Sequence, residues 1–140
     1  MFLLDTNVIS ELRKIRRGTA DQQVAAWADG VDANDLYLSV ITLEELEIGV
    51  LLAERRDTAQ GRILRTWLAH QVVPAFAGRI LAIDSIIVQR SAALHVPDPR
   101  PIRDAFIAAT ALVHAMTVVT RNVADFASTG VSAFNPWLGR

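Results

Sequence analysis

Short apolar runs rich in branched residues alternate along this chain with longer stretches in which apolar residues recur every third or fourth position. The runs Phe2–Leu4, Leu36–Val40, Ile80–Ile83, Thr117–Thr120 and, more weakly, Val131–Phe134 predict strands. The stretches Val8–Ile15, Gln22–Gly30, Leu43–Arg55, Ala59–His70, Ser85–Leu94 and Arg103–Met116 predict helices. Strand–helix–strand order implies an α/β fold, a mostly parallel sheet of about five strands covered by helices on both faces. Ligands of such sheets bind outside the carboxyl ends of the strands. The residues that follow each strand are therefore where chemistry is to be sought. No repeat, low-complexity tract or linker interrupts the alternation, so residues 1–140 read as a single domain.

Composition narrows the classes. The chain is 51% hydrophobic and 21% charged, which excludes disordered and fibrous proteins. Cysteine is absent, which removes disulfide scaffolds, thiolate zinc sites, iron–sulfur clusters and cysteine nucleophiles. The amino terminus meets Asp5 at once and is not expected to be a signal peptide. The longest stretch free of Asp, Glu, Lys and Arg, Ala105 to Thr120, falls short of the roughly 20 apolar residues of a membrane span. A soluble, cytoplasmic protein is expected. The net charge of −1 announces no nucleic-acid binder. The basic residues are nonetheless clustered, one knot at Arg13, Lys14, Arg16 and Arg17 and a second at Arg55, Arg56, Arg62 and Arg65. On charge alone these are solvated faces; nearly all are arginine, which also suits bidentate contact with phosphate.

Carboxylates stand at the expected strand ends. Asp5 follows Phe2–Leu4 and opens the polar trio Asp5-Thr6-Asn7, which is either a helix N-cap or more than a cap requires. Glu45 stands three residues after Thr42, the spacing of a capping box, which by itself accounts for it. Gly49, one turn on, is costly inside a helix and would let another backbone approach closely. Glu44 and Glu47 point elsewhere on the helical wheel and read as solvated. Asp104 follows the helix-breaking Pro97-Asp98-Pro99-Arg100-Pro101 and shares a stripe with Ile107, Ala108, Ala111 and Leu112. The helix dipole explains an acid in the first turn, but not one facing the core, which needs a partner or a metal. Asp125, in Thr120-Arg121-Asn122-Val123-Ala124-Asp125, is either turn chemistry or a fourth acid at a strand end. Asp84 reads as an ordinary N-cap.

Four acids brought to one sheet edge repel one another and raise their own pKa values. A hard divalent cation such as Mg²⁺ or Mn²⁺ relieves that repulsion, polarises a phosphoryl oxygen and acidifies a bound water. Other chemistries lack support. His70, His95 and His114 have no metal-binding spacing, and His114 reads as a core or helix-end residue. Glycine-rich phosphate loops and a Gly-x-Ser-x-Gly elbow are missing.

Taken together, Phe2-Leu3-Leu4-Asp5-Thr6-Asn7-Val8-Ile9-Ser10-Glu11-Leu12, Ser39-Val40-Ile41-Thr42 through Glu45-Leu46 to Gly49, Asp104 to Ala111, Thr120-Arg121-Asn122 with Asp125-Phe126, and Asn135-Pro136-Trp137 resemble PIN-domain ribonucleases. The resemblance is to toxins of the VapC/FitB type from bacterial toxin–antitoxin modules, and it covers nearly the whole chain in order. It implies a three-layer α/β/α sandwich and an acidic Mg²⁺/Mn²⁺ site that cuts RNA. It also implies a homodimer, assembly with an antitoxin into a heterotetramer or larger, and contact with DNA only through that antitoxin. On this resemblance Asp5, Glu45 and Asp104 fall on the three strongest acidic positions. Many family members carry an Asp near Asn122; here Asp125 takes the fourth place, with Asn122 as a polar neighbour. Asp5 and Asp104 would hold the principal ion, Glu45 would complete the shell or orient the attacking water, and Asp125 would serve a weaker ion. Thr6, Asn7 and Thr120 would support them, and Arg13, Lys14, Arg16 and Arg17 would track the RNA backbone.

Two rivals remain open at the level of sequence. A non-catalytic module could keep this fold and act only through its partner. A phosphotransferase of the haloacid dehalogenase type also begins with a strand and an Asp, but needs an acid where Asn7 stands.

Overall fold

A computed structural model describes residues 1–139. The chain runs β1 (Phe2–Leu4), α1 (Thr6–Leu12), α2 (Gln22–Gly30), β2 (Leu36–Ser39), α3 (Val40–Arg56), α4 (Thr58–Trp67), α5 (Val73–Ala75), β3 (Ile80–Leu81), α6 (Ser85–Leu94), α7 (Ile102–His114), β4 (Thr117–Val119) and β5 (Ala133–Phe134). A π-helical turn, Leu68–Val72, joins α4 to α5, and a 3₁₀ turn, Val123–Phe126, lies between β4 and β5. The five strands form one sheet in the order β3-β2-β1-β4-β5, and every pairing is parallel.

Strand alternation builds the layers. Phe2, Leu4, Leu36, Leu38, Ile80, Val119 and Phe134 pack on one side, against Val8 and Ile9 of α1, Leu46 and Val50 of α3, and Leu68 and Val72 beyond α4. Leu3, Tyr37, Leu81, Val118 and Ala133 pack on the other, against Leu94 of α6 and Ile107, Ala108 and Ala111 of α7. The result is the α/β/α sandwich anticipated above. Helix α7 is buried nearly all round, and its alanines let it seat close to the sheet. Among the described residues no helix is long and apolar enough to cross a membrane.

Capping sets several boundaries. Asp21, Asp57 and Asp84 each accept hydrogen bonds from the first turn of α2, α4 and α6. The cap of α3 corrects the sequence reading. Ser39, not Thr42, is the N-cap, its hydroxyl accepting from the Ile41 amide at 3.0 Å. Thr42 therefore lies one turn inside the helix, fully buried, and is not half of a capping box. Glycine 49 is also reassigned: a Cβ there would meet nothing within 4 Å, so no backbone approaches it. The close approach belongs to Gly61 on α4, where a Cβ would lie 2.4 Å from the Glu54 Cα of α3. The same helix pair is clamped by Arg65, whose guanidinium donates to Glu47 at 2.7 and 2.9 Å and to Glu54 at 3.3 and 3.4 Å. Glu47 is thus an ion-pair partner rather than a solvated acid, and Glu44 lies 3.6 Å from Arg103.

Candidate active site

The first strand leaves the middle of the sheet, and later chain adds β2 and β3 on one side and β4 and β5 on the other. The cleft at the carboxyl ends of β1 and β4 is a topological switch point, where open α/β sheets bind ligands. Asp5 and Thr120 are the residues that emerge there. Asp5 is buried (8% exposed) and caps α1, Oδ1 accepting from the Thr6 amide at 2.8 Å. Its Oδ2 accepts from the Thr120 hydroxyl at 2.8 Å and, at 3.5 Å, from Asn7 Nδ2. The capping and functional readings of Asp5 are therefore compatible: one carboxylate oxygen caps the helix while the other is held in the cleft.

The neighbours form a scaffold around this acid. Thr120 Oγ1 accepts from the Asn122 amide at 3.0 Å, and Asn7 Oδ1 accepts from the Arg121 amide at 3.2 Å. Asn135 holds the Arg121 carbonyl at 3.1 Å, and the Arg121 guanidinium lies over the Trp137 ring at 5.1 Å. Across the cleft, the Thr6 hydroxyl donates to Glu45 Oε1 at 2.6 Å, tying the start of α1 to α3. Freed from the supposed capping box, the Glu45 carboxylate faces the cleft.

Asp104 enters from the first turn of α7, half-buried. Burial first, then the negative charges of Asp5, Asp125 and Glu45, push its carboxyl up from 3.8 to about 6. All four sequence-selected acids thus act on one neighbourhood. Asp125 is exposed on the 3₁₀ turn after β4. Its loop is held by Arg100, which donates to the carbonyls of Leu94, Ala127 and Ser128 and to the Ser128 hydroxyl at 2.8–3.3 Å. Sequence reading passed over Arg100 as part of a helix-breaking stretch; only its partners, far along the chain, show its use. Asn122 offers its amide to Thr120, and it too is exposed. His114 ends α7 as expected.

Glu45 and Asp104 line an open cleft. A cavity of about 640 Å³ between the amino ends of α3 and α7 is bordered by Glu44, Glu45, Arg103 and Asp104, with Ile41 and Phe106 as apolar wall. Among the described residues, no three acidic or histidine side chains stand close enough together to hold a metal ion jointly. The donors are all carboxylate oxygens, and burial and the three neighbouring acids together oppose the ionisation of Asp104. That combination fits a hard divalent cation that keeps several waters and takes only one or two carboxylates directly.

The PIN domain family model matches residues 2–131. The chain belongs to the PIN domain family. It is 39% identical to toxin FitB of Neisseria gonorrhoeae, over 98% of this chain and 99% of that one. It is 38% identical to the VapC ribonuclease Y4jK of Sinorhizobium fredii, over 98% of each chain. Among solved structures, the FitAcB complex from Neisseria gonorrhoeae contains a chain that superposes with a TM-score of 0.87 at 38% identity, covering 98% of this chain and 99% of that one. The VapC/FitB kinship expected from the residues is therefore shown, and so is the PIN-like sandwich.

Proposed function

We propose that this PIN domain is a Mg²⁺- or Mn²⁺-dependent endoribonuclease, the toxin of a toxin–antitoxin pair, acting in the cytoplasm as one nuclease domain over residues 1–140. The observation that carries the reading is the Asp104 carboxyl, raised to about 6 by burial and by three further acids at the switch point. A charge cluster of this kind destabilises the fold and is expected where function demands it. Kinship points the same way: relatives of nearly full length bear the names toxin and VapC ribonuclease.

Asp5 and Asp104 would hold the ion, with Glu45 beside them and Asp125 supporting a second, weaker one. When bound, the ion supplies charge neutralisation at the scissile phosphate and acidifies water. Thr6 and Thr120 keep the Glu45 and Asp5 carboxylates in fixed orientation through bonds of 2.6 and 2.8 Å. Glu45 would complete the shell of the ion or accept a hydrogen bond from the attacking water and so orient it. In-line attack by water leaves a 5′-phosphate and a 3′-hydroxyl; products with 2′,3′-cyclic phosphate would contradict the reading.

An antitoxin partner is proposed from the relatives. FitB relatives are known as FitAcB and as FitAB bound to a DNA fragment, and a toxin–antitoxin complex from Klebsiella pneumoniae shares the fold at 25% identity and a TM-score of 0.68. In this reading the chain is a homodimer, joined by antitoxin into a heterotetramer or larger, with DNA reached only through the antitoxin.

Mn²⁺ titration tests the site. Binding should tighten as pH rises from about 5 to 7.5, because protons compete for the same carboxylates, and Asp5→Ala should abolish it. Binding that ignores both pH and Asp5 would remove the metal from the reading.

A further inference from the structure

The cations of this fold divide by what they bind. Lys14 is tied to Glu11 at 3.1 Å, and Arg65 is clamped between Glu47 and Glu54. Arg13, Arg16 and Arg17 border, with Arg62 and Trp67, the groove to which the sequence assigns the RNA backbone. Arg100 belongs to neither group. It is in none of the ion pairs among the described residues. Its guanidinium is spent on uncharged oxygens instead. Nε donates at 2.9 Å to the carbonyl of Leu94, the last residue of α6. Nη1 donates to the Ala127 carbonyl at 3.2 Å, and Nη2 donates to the carbonyl and hydroxyl of Ser128 at 3.3 and 2.8 Å.

The acids of the site explain what such a clamp is for. Asp5 is fixed by direct bonds from the Thr6 amide and the Thr120 hydroxyl, and Glu45 by the Thr6 hydroxyl. Asp104 rides on the first turn of α7. The Asp125 carboxylate is exposed and, among the described residues, accepts no hydrogen bond. Its place is therefore set by the backbone of its turn alone. Upstream, the Asn122 amide donates to Thr120 Oγ1 at 3.0 Å and the Asp125 amide to the Asn122 carbonyl at 3.0 Å. Downstream, Phe126 is buried in the core cluster of Ile107 and Ala108 of α7. Beyond it the chain reaches Ser128 at a φ of 62°, a left-handed conformation that persists only where surrounding contacts impose it. Arg100 holds both polar oxygens of that residue.

Arg100 is itself held firmly. Pro99 and Pro101 flank it and restrict the backbone on both sides. Its amide donates to His95 Nδ1 at 3.1 Å, and the carbonyl of Pro101 accepts from the Ala105 amide at 3.1 Å, opening the helix that carries Asp104. One side chain thus joins the end of α6, the start of α7 and the turn that bears Asp125. We propose that Arg100 is a positioning residue for the fourth acid, fixing where the Asp125 carboxylate stands relative to that of Asp104. The proposal rests on the endoribonuclease reading and deepens it, because it says how an acid three residues beyond Asn122 is made to serve the site. The planar fork is what the task requires: it spans carbonyls of two separate segments, which a lysine ammonium on a flexible stem does not.

The test uses the full-length protein with Arg100→Met, which keeps an unbranched stem and removes every donor. Arg79→Met is the control for stability, since Arg79 also donates to backbone carbonyls, those of Ala33, Leu36 and Ala75, but at the amino ends of β2 and β3. Arg100→Met should lower Mn²⁺ affinity and kcat by about tenfold each, the loss expected when a group that orients a metal-binding carboxylate is removed, with KM within about twofold. Arg79→Met should lose stability and leave both unchanged. In an Asp125→Asn background, Arg100→Met should cost nothing further, because the two residues act as one unit. Arg100→Lys, which keeps the charge, should behave as Arg100→Met. A loss that persists undiminished in the Asp125→Asn protein overturns the proposal, as does full recovery with lysine, which would make Arg100 a through-space charge rather than a clamp. Equal losses of kcat in Arg100→Met and Arg79→Met would reduce it to stability and overturn it too. Should the wild type cut no RNA with any divalent ion while the Mn²⁺ affinities obey this pattern, the nuclease reading fails and the positioning of Asp125 stands.

Discussion

Asp104→Asn should make the metal-free protein more stable, with a pH dependence of definite sign. The native carboxyl releases its proton near pH 6, against 3.8 ordinarily. Near two pKa units at 1.36 kcal/mol each set an upper bound of about 3 kcal/mol on the penalty of ionised Asp104. The side chain is partly exposed, and solvent screening reduces this to about 1–1.5 kcal/mol. Asparagine forfeits the favourable interaction of a charge with the α7 amino terminus, at most about 0.5–1 kcal/mol. The net gain near pH 7.5 is then up to about 1 kcal/mol, or a melting temperature higher by up to about 3 °C for a domain of this size. Between pH 3.8 and about 6 the native state binds more protons than the unfolded one, so wild-type stability falls as pH rises through that window. The advantage of Asn should therefore be absent near pH 4 and complete above pH 6. Adding Mn²⁺ should reverse the order, because ligand at a hundredfold its Kd stabilises only the wild type, by about 2.7 kcal/mol. Thermal unfolding of both proteins, with chelator and with Mn²⁺, at pH 4.5 and 7.5, supplies every term. A variant less stable than wild type by the same margin at both pH values, or stabilised equally by Mn²⁺, would refute the reasoning.

Other perturbations give outcomes of known direction. Gly61→Ala forces a Cβ to within 2.4 Å of the Glu54 Cα; despite better helix propensity it should cost about 2 kcal/mol in chemical denaturation. Gly49→Ala meets open space in a helix interior and should gain up to about 1 kcal/mol by the same measurement. Ala115 ends α7 at a φ of 55°, so Ala115→Gly should relieve left-handed backbone strain at the helix end and add about 0.5 kcal/mol to stability. Thr6→Val removes the 2.6 Å bond to Glu45; steady-state cleavage should lose kcat by roughly tenfold with little change in KM, and Thr6→Ser should restore most of it.

The elements were legible wherever a local rule decided them. Phe2–Leu4, Gln22–Gly30 and Ser85–Leu94 emerge with the boundaries their apolar spacing predicts. Errors arose where a distant partner decides. The strand at Ile80 stops at Leu81 because its neighbour β2 stops at Ser39, the residue that caps α3. Thr42 carries a capping-box spacing, yet Ser39 takes the cap, and the hydroxyl of Thr42 is buried instead near the Leu4 carbonyl at 3.5 Å. Asp5 and Asp104 were legible as candidates because one follows a strand and the other opens a helix, whereas Glu45, in the second turn of α3, was singled out only by the family resemblance. What sequence could not supply was pairing: Glu47 with Arg65, Arg100 with the loop bearing Asp125, and Arg62 with the knot that begins at Arg13. Those contacts join residues between 18 and 49 positions apart, beyond the reach of any periodicity.

The most direct test of the account is inducible expression of the wild type beside Asp104→Asn, followed by sequencing of RNA 5′ ends from total cellular RNA. Because the variant should be at least as stable as the wild type without metal, a difference between them reports chemistry rather than folding. New 5′-phosphate ends at defined sites, with growth arrest and both absent from the variant, are the predicted result. Indistinguishable profiles from two soluble proteins in a host without an antitoxin would contradict the nuclease and leave a PIN fold that acts by binding alone.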